Sequence, residues 1–171
     1  LRLFFALWPS EPLRAALAAA TAPAIARVDG DRLPPGNLHV TLVFLGQVPG
    51  ARLSRLMQVG GGPPWPRVEM AFERVEYWVK PKILVAIPAD RPPAGEAVVE
   101  RLWRGLEPLG FEREARPWQP HLTLVRRVRQ PPPDGLAMAA CAAGDWRLAL
   151  VESQGHPEGV RYKPLADWSL Q

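Results

Sequence analysis

Apolar positions along the chain switch between two periods. Leu13, Ala16, Leu17 and Ala20 repeat at helical spacing, and so do Leu53, Leu56 and Met57, and Val98, Val99, Leu102, Leu106 and Leu109. They predict three helices. The first starts at a Ser10 N-cap, with Pro12 in its first turn, and reaches about Ala22 or just past Pro23. The second covers Ala51–Val59, and the third covers Ala94–Leu109 and stops at Gly110. Gly135–Ala143, small and apolar, predicts a further short helix. Short apolar or alternating runs predict strands at Arg2–Trp8, Leu38–Gly46, Arg67–Glu76, Lys82–Pro88, His121–Val128, Asp145–Glu152 and Arg161–Gln171. Tyr77–Pro81 and Ser153–Gly159 read as turns. Each half of the chain holds strands, one main helix and one strand beginning His-x-Thr. The expected fold is α+β and bilobal: two pseudo-symmetric antiparallel sheet lobes, helices outside and a cleft between. Residues 1–171 are read as one domain of two interleaved lobes.

Composition narrows the classes. Apolar residues at 47% and charged residues at 22% are ordinary for a globular chain and exclude disorder. No run of 18 apolar residues exists, and the apolar start is broken by Glu11 and Arg14, so neither a membrane span nor a signal peptide is expected. The cytoplasm is the expected setting. A lone Cys141 precludes an intramolecular disulfide, and no metal-ligand spacing is present, so no metal or cofactor is expected. The net charge is +4, and Lys occurs only at Lys80, Lys82 and Lys163, so Arg carries the basic character. Guanidinium forks suit phosphate, although a solvated Arg surface has the same composition.

Two of the three histidines stand in one pattern, His39-Val40-Thr41-Leu42 and His121-Leu122-Thr123-Leu124. On a strand, alternate side chains share a face, so each copy presents one imidazole and one hydroxyl together. Two copies side by side supply what phosphodiester cleavage needs. One imidazole takes a proton from the attacking oxygen and one gives a proton to the leaving oxygen. The hydroxyls donate to non-bridging oxygens as charge develops there. An unperturbed imidazole pKa near ~6.5 keeps both protonation forms available near neutral pH. A single His-x-Thr would be an ordinary structural histidine; the repetition is what points to chemistry. His156, in Gly155-His156-Pro157, has no such context and reads as a turn residue.

Asn37-Leu38-His39-Val40-Thr41-Leu42-Val43-Phe44-Leu45-Gly46 and Pro120-His121-Leu122-Thr123-Leu124-Val125-Arg126 resemble the two signature motifs of the 2H phosphoesterase superfamily. Within it, the chain resembles the RNA 2′,3′-cyclic phosphodiesterases, also called 2′-5′ RNA ligases. Arg2-Leu3-Phe4-Phe5-Ala6-Leu7 resembles that family's first strand, and Tyr162-Lys163-Pro164-Leu165 with Trp168 its ending. The resemblance implies a bilobal α+β fold and metal-independent opening of 2′,3′-cyclic phosphate ends of RNA to 2′-phosphomonoesters. It also implies His39 as proton donor and His121 as proton acceptor, with Thr41 and Thr123 beside them. The near-symmetry of the motifs does not itself say which imidazole is the acid. The implied partner is RNA with a cyclic phosphate end, whether tRNA halves or small cyclic nucleotides, with no obligate protein partner. Two alternatives stand beside this: reversible 2′-5′ ligation without ATP, since no Gly-rich Lys loop is present, and an RNA-binding module without catalysis.

The resemblance further implies substrate contacts from Phe44, for base stacking, and Arg126, for phosphate. Each lies five residues after its motif histidine, an odd offset. Ideal alternation puts both on the face away from the histidines and favours Arg127 instead; a bulge at the strand end would reverse that. Core packing remains the competing role for Phe44, and surface charge near the cleft is the role read for Arg127 and Arg129.

Overall fold

The computed structural model describes residues 1–171. Nine strands and three α-helices follow in the order β1 (Arg2–Pro9), α1 (Glu11–Ile25), β2 (Asp31–Arg32), β3 (Val40–Gln47), α2 (Leu53–Gly60), β4 (Met70–Trp78), β5 (Ile83–Pro88), α3 (Pro93–Leu106), β6 (Leu122–Arg126), β7 (Cys141–Ala143), β8 (Trp146–His156) and β9 (Gly159–Ser169). The Ser10 hydroxyl caps α1 by accepting from the Leu13 N–H at 3.2 Å. Beyond α3 a 3-10 turn, Glu107–Leu109, ends at Gly110, whose φ of 88° only glycine adopts without strain. No helix is long and apolar enough to cross a membrane.

The strands hydrogen-bond in the order β7-β4-β5-β6-β3-β1-β8-β9, with β2 added beside β6. All of these pairings are antiparallel. The order divides into two lobes. One is β3, β1, β8 and β9, drawn from both ends of the chain; the other is β4 to β7, from its middle. They are therefore interleaved in sequence, and they meet at a single register pair, Val40 opposite Leu122. This is the α+β, bilobal arrangement expected from the sequence.

Both faces of β1 are covered, which is why its sequence is apolar without alternation. Leu3, Phe5 and Leu7 enter the main core with Leu148 and Leu150 and with Leu13, Leu17, Leu56, Leu102 and Leu106 of the helices. Phe4 and Ala6 face the other way and pack with Ala149, Val151, Trp8 and Tyr162. This second cluster floors the site described below.

Three expectations need correction. Gly135–Ala143 forms no helix. Cys141–Ala143 instead pairs along the edge of β4, and the Ala139 N–H donates to the Ala20 carbonyl at 3.2 Å. Alanine is the best helix former, but nucleating a helix is costly, and so short a segment gains too little to compete with a sheet edge that needs partners. The turn expected over Ser153–Gly159 is much shorter, because β8 runs to His156 and β9 starts at Gly159. The strand expected to close at Glu76 runs on to Trp78 through pairing with Ile83. Pro164 lies inside β9, the last strand of the order, beside a register shift against Val151, and an edge strand with a bulge tolerates a missing N–H.

Candidate active site

One register pair assembles the four motif side chains. With Val40 opposite Leu122 in antiparallel strands, His39 falls opposite Thr123 and Thr41 opposite His121. Directly opposed residues share a face, so both imidazoles and both hydroxyls stand on one surface, with neighbouring Cβ atoms ~5 Å apart. Val40 and Leu122 are fully buried on the other side.

Each histidine is held in the same way. His39 Nδ1–H donates to the Asn37 carbonyl at 2.7 Å, and His121 Nδ1–H donates to the Gln119 carbonyl at 2.8 Å. A carbonyl only accepts, so this bond puts the proton on Nδ1 and leaves Nε2 as the working nitrogen of each ring. The Thr41 hydroxyl donates to His39 Nε2 at 3.1 Å, so in this state it serves its own histidine.

The surroundings differ. His39 is buried between Phe4 at 4.9 Å, Tyr162 at 4.9 Å and Trp8 at 5.9 Å, centroid to centroid. Arg14, also buried, lies 5.2 Å from the Trp8 ring and donates to the carbonyl of Pro35 at 2.7 Å and of Leu38 at 3.4 Å, just before His39. Burial lowers the His39 pKa from 6.5 to about 4; the Asn37 carbonyl opposes this, and Arg126, His121 and Arg14 add to it. His121 is lowered too, chiefly by burial and with Arg126 adding to it, the Gln119 carbonyl opposing. Trp78 packs against its ring at 4.7 Å. The even supply of both protonation forms expected from an unperturbed imidazole is therefore absent: without an anion nearby, both rings are neutral near pH 7.

Phe44 and Arg126 reach the site through a pair of matching bulges. Ala6 lies opposite Thr41 but Phe5 lies opposite Val43, so Leu42 is the extra residue of β3. Val85 lies opposite Thr123 but Leu84 lies opposite Val125, so Leu124 is the extra residue of β6. Leu42 and Val43 are consecutively buried, as are Leu124 and Val125. The slip brings Phe44 onto the Thr41 face and Arg126 onto the Thr123 face. Phe44 is 42% exposed, not core, and lines a cavity with Thr41 and His121. Arg126 Nη2 donates to the Tyr162 hydroxyl at 2.8 Å. Arg127, favoured by ideal alternation, has φ of 48° and turns away to pair with Asp31 at 2.6 Å. Arg129 pairs with Asp29 at 3.0 Å and Asp31 at 2.8 Å, a surface charge as expected.

Sequence reasoning misses several residues here. Tyr162 is legible only as part of the tail, yet it touches His39 and binds Arg126. Trp118 Nε1 donates to the Thr41 carbonyl at 2.9 Å, and its segment, Glu112–Pro120, has no signal beyond irregularity. Arg14 and Trp8 carry no mark of a link to His39 either.

Two cavities lie near the motif side chains, the larger lined by Thr41 and His121 themselves. One, of about 510 Å³, is walled by Phe44, Trp78, Trp118 and His121. The other, of about 430 Å³, lies past Asn37, Arg126 and Tyr162. No group of three or more His, Cys, Asp or Glu side chains is arranged to hold a metal ion.

A curled antiparallel sheet that brings two His-x-Thr strands together is similar to the bilobal fold of 2H phosphoesterases. Over its full length the chain is homologous to proteins named RNA 2′,3′-cyclic phosphodiesterase. The Escherichia coli K12 protein is 26% identical, covering 99% of this chain and 96% of its own. The Thermus thermophilus protein is 29% identical, covering 100% and 91%. Among solved structures, E. coli LigT complexed with 3′-AMP matches with a TM-score of 0.78 at 26% identity, over 99% of this chain and 97% of that one. A T. thermophilus structure matches at 0.81 and 26%, over 99% and 98%. No family model matches the chain.

Proposed function

We propose that this phosphoesterase opens 2′,3′-cyclic phosphate ends of RNA to 2′-phosphomonoesters, by acid/base catalysis between His39 and His121. The observation that carries the reading is the pairing itself: two imidazoles, each locked through Nδ1 to the carbonyl two residues earlier, with Nε2 of both turned to a shared face, that of His39 held by the Thr41 hydroxyl. Binding alone needs no such pair, and this weighs against a non-catalytic RNA-binding module.

In the proposed step, His121 Nε2 takes a proton from water as the water oxygen bonds to phosphorus. The bond from phosphorus to the 3′ oxygen breaks, and His39 gives that oxygen its proton. Water is consumed; the products are a 2′-phosphate and a 3′-hydroxyl. His39 starts neutral in the free protein, since burial lowers its pKa to about 4. The arriving phosphodiester anion neutralises Arg126 and favours the imidazolium, so His39 becomes the acid by taking up a proton with the substrate. Arg126 and the Thr123 hydroxyl face the non-bridging oxygens, and Thr41 is released from His39 to join them. Phe44 offers its exposed ring to the terminal base. That E. coli LigT has been solved with 3′-AMP and with phosphate supports a site for a nucleotide phosphate here. We further take residues 1–171 as one catalytic domain, because a single apolar core runs through both lobes. Ligation would be the same step with a 5′-hydroxyl replacing water: its oxygen bonds to phosphorus, the bond to the 3′ oxygen breaks, and a 2′-5′ diester forms.

The test is incubation with a 2′,3′-cyclic nucleotide and assignment of the product by phosphorus NMR. A 2′-phosphate is expected. A 3′-phosphate would overturn the assignment of His39 to the 3′ oxygen, and no product from nucleotide or RNA would overturn the function.

A further inference from the structure

The two cavities beside the motif side chains differ in charge, and the difference assigns them different parts of an RNA chain. The larger is aromatic and balanced. Arg91 pairs with Glu96 at 3.2 Å and Arg113 is tied to Glu100 and Glu107, while Arg116, which forms no ion pair, is matched in charge by Glu114 on the same lining. It suits one uncharged base.

The smaller cavity is not balanced. Arg32, Arg126 and Arg127 line it against the carboxylates of Asp31 and Glu158. Asp31 lies directly opposite Arg126 across β2 and β6, yet its two oxygens are taken by Arg127 and Arg129. Arg126 is left with only a neutral partner, the Tyr162 hydroxyl, and Arg32 forms no ion pair. Two of the lining arginines, Arg32 and Arg126, are thus without a committed carboxylate, with Glu158 at the hairpin tip as the opposing charge. The wall is also built. The Asn37 side chain donates to the Val160 carbonyl at 2.7 Å and accepts from the Tyr162 N–H at 3.3 Å, which pins the β8–β9 hairpin to the segment leading into His39. Asn37 and Tyr162, which line this cavity, also contact His39, and Tyr162 binds Arg126, so its wall adjoins the reacting centre.

We propose that this second cavity is a subsite for the next phosphodiester of the RNA chain, 5′ to the cyclic end, with Arg32 as its anchoring cation. This rests on the function proposed above and deepens it: the chain then recognises polynucleotide ends over mononucleotides. Arg126 serves the reacting phosphate, and Arg32, an exposed residue that also lines this cavity, serves the neighbouring one.

The experiment compares a 2′,3′-cyclic mononucleotide with a dinucleotide ending in a 2′,3′-cyclic phosphate, on wild-type protein and Arg32→Ala. In parallel, calorimetry measures binding of the corresponding 2′-phosphorylated mono- and dinucleotides. One charge-assisted phosphate contact leads us to expect about a tenfold preference for the dinucleotide in kcat/KM and Kd. Arg32→Ala removes that preference, leaves mononucleotide turnover unchanged, and lowers the salt slope of dinucleotide binding by about 0.7. Equal treatment of the two lengths by wild-type protein, or a preference that survives Arg32→Ala, overturns the subsite while leaving hydrolysis standing. If neither substrate turns over, the function fails, and the binding arm still decides whether a second phosphate is held.

Discussion

His39 and His121 sit in nearly identical four-residue patterns, carry the same Nδ1 bond and precede the same bulge, yet they occupy unlike surroundings. Three aromatic rings and the buried Arg14 enclose His39. His121 meets Trp78 and opens on the larger cavity. The motif supplies a symmetric pair; the neighbouring strands make it asymmetric. β1 and β9 are responsible on one side, through Phe4, Trp8 and Tyr162, and the end of β4 on the other, through Trp78. This is the physical content behind assigning different roles to equal-looking residues. A ring shut away from water holds a proton only when an anion arrives with it, whereas a neutral ring beside open space is ready to take a proton from water.

The largest effect should come from removing either ring. His39→Ala and His121→Ala are each expected to lower kcat/KM by at least about 10³-fold, and the double variant little further, because the two act as one unit. Retention of wild-type turnover by either variant would contradict the pairing.

Next comes stability against pH. The folded His39 pKa lies below its ordinary value, so the unfolded chain takes up this proton first as pH falls. Stability from the buried neutral ring is fully present above pH 6.5 and is lost as pH falls towards about 4. The full shift corresponds to about 3 kcal/mol. Denaturant titrations of wild type and His39→Asn from pH 7.5 to 4 should show the variant with a correspondingly flatter profile. An identical pH dependence in the two proteins would mean that His39 is not held neutral.

Smaller again is Phe44→Ala. Losing one base-stacking ring should cost roughly 1–3 kcal/mol in kcat/KM, with melting nearly unchanged because the ring is exposed. A large fall in melting temperature with normal kinetics would return Phe44 to a packing role.

The smallest effect is expected at Arg127. Its ion pair with Asp31 is exposed, and such pairs contribute about 0–1 kcal/mol. Arg127→Ala should leave kcat/KM within about twofold; a loss as deep as that of Arg126→Ala would place the wrong arginine at the phosphate.

Much of this is legible in the chain. Period-3.6 runs locate all three helices, because an amphipathic stripe is a local record of which side faces the core. The His-x-Thr repeat locates the chemistry, because strand alternation alone puts His and Thr on one face. Residues 135–143 mislead because the helix preference of an alanine-rich run is too small over so short a length, and the conformation is settled by the open edge of β4. Phe44 and Arg126 pose a subtler problem. Their offset from the histidines conflicts with alternation, and only an extra residue in the ladder reverses the parity. A bulge is a property of two paired strands, so neither strand announces it alone.

By itself, then, the sequence determined the three helices and the main strands, the two local constellations of imidazole and hydroxyl, and their parity within each motif. The tertiary structure decided three things. It joined the constellations through one register pair, Val40 with Leu122. It carried Phe44 and Arg126 to the working face through two bulges. And it made the histidines unequal, because desolvation depends on what packs around a ring, and the residues that bury His39 come from positions as far apart in the chain as Phe4 and Tyr162.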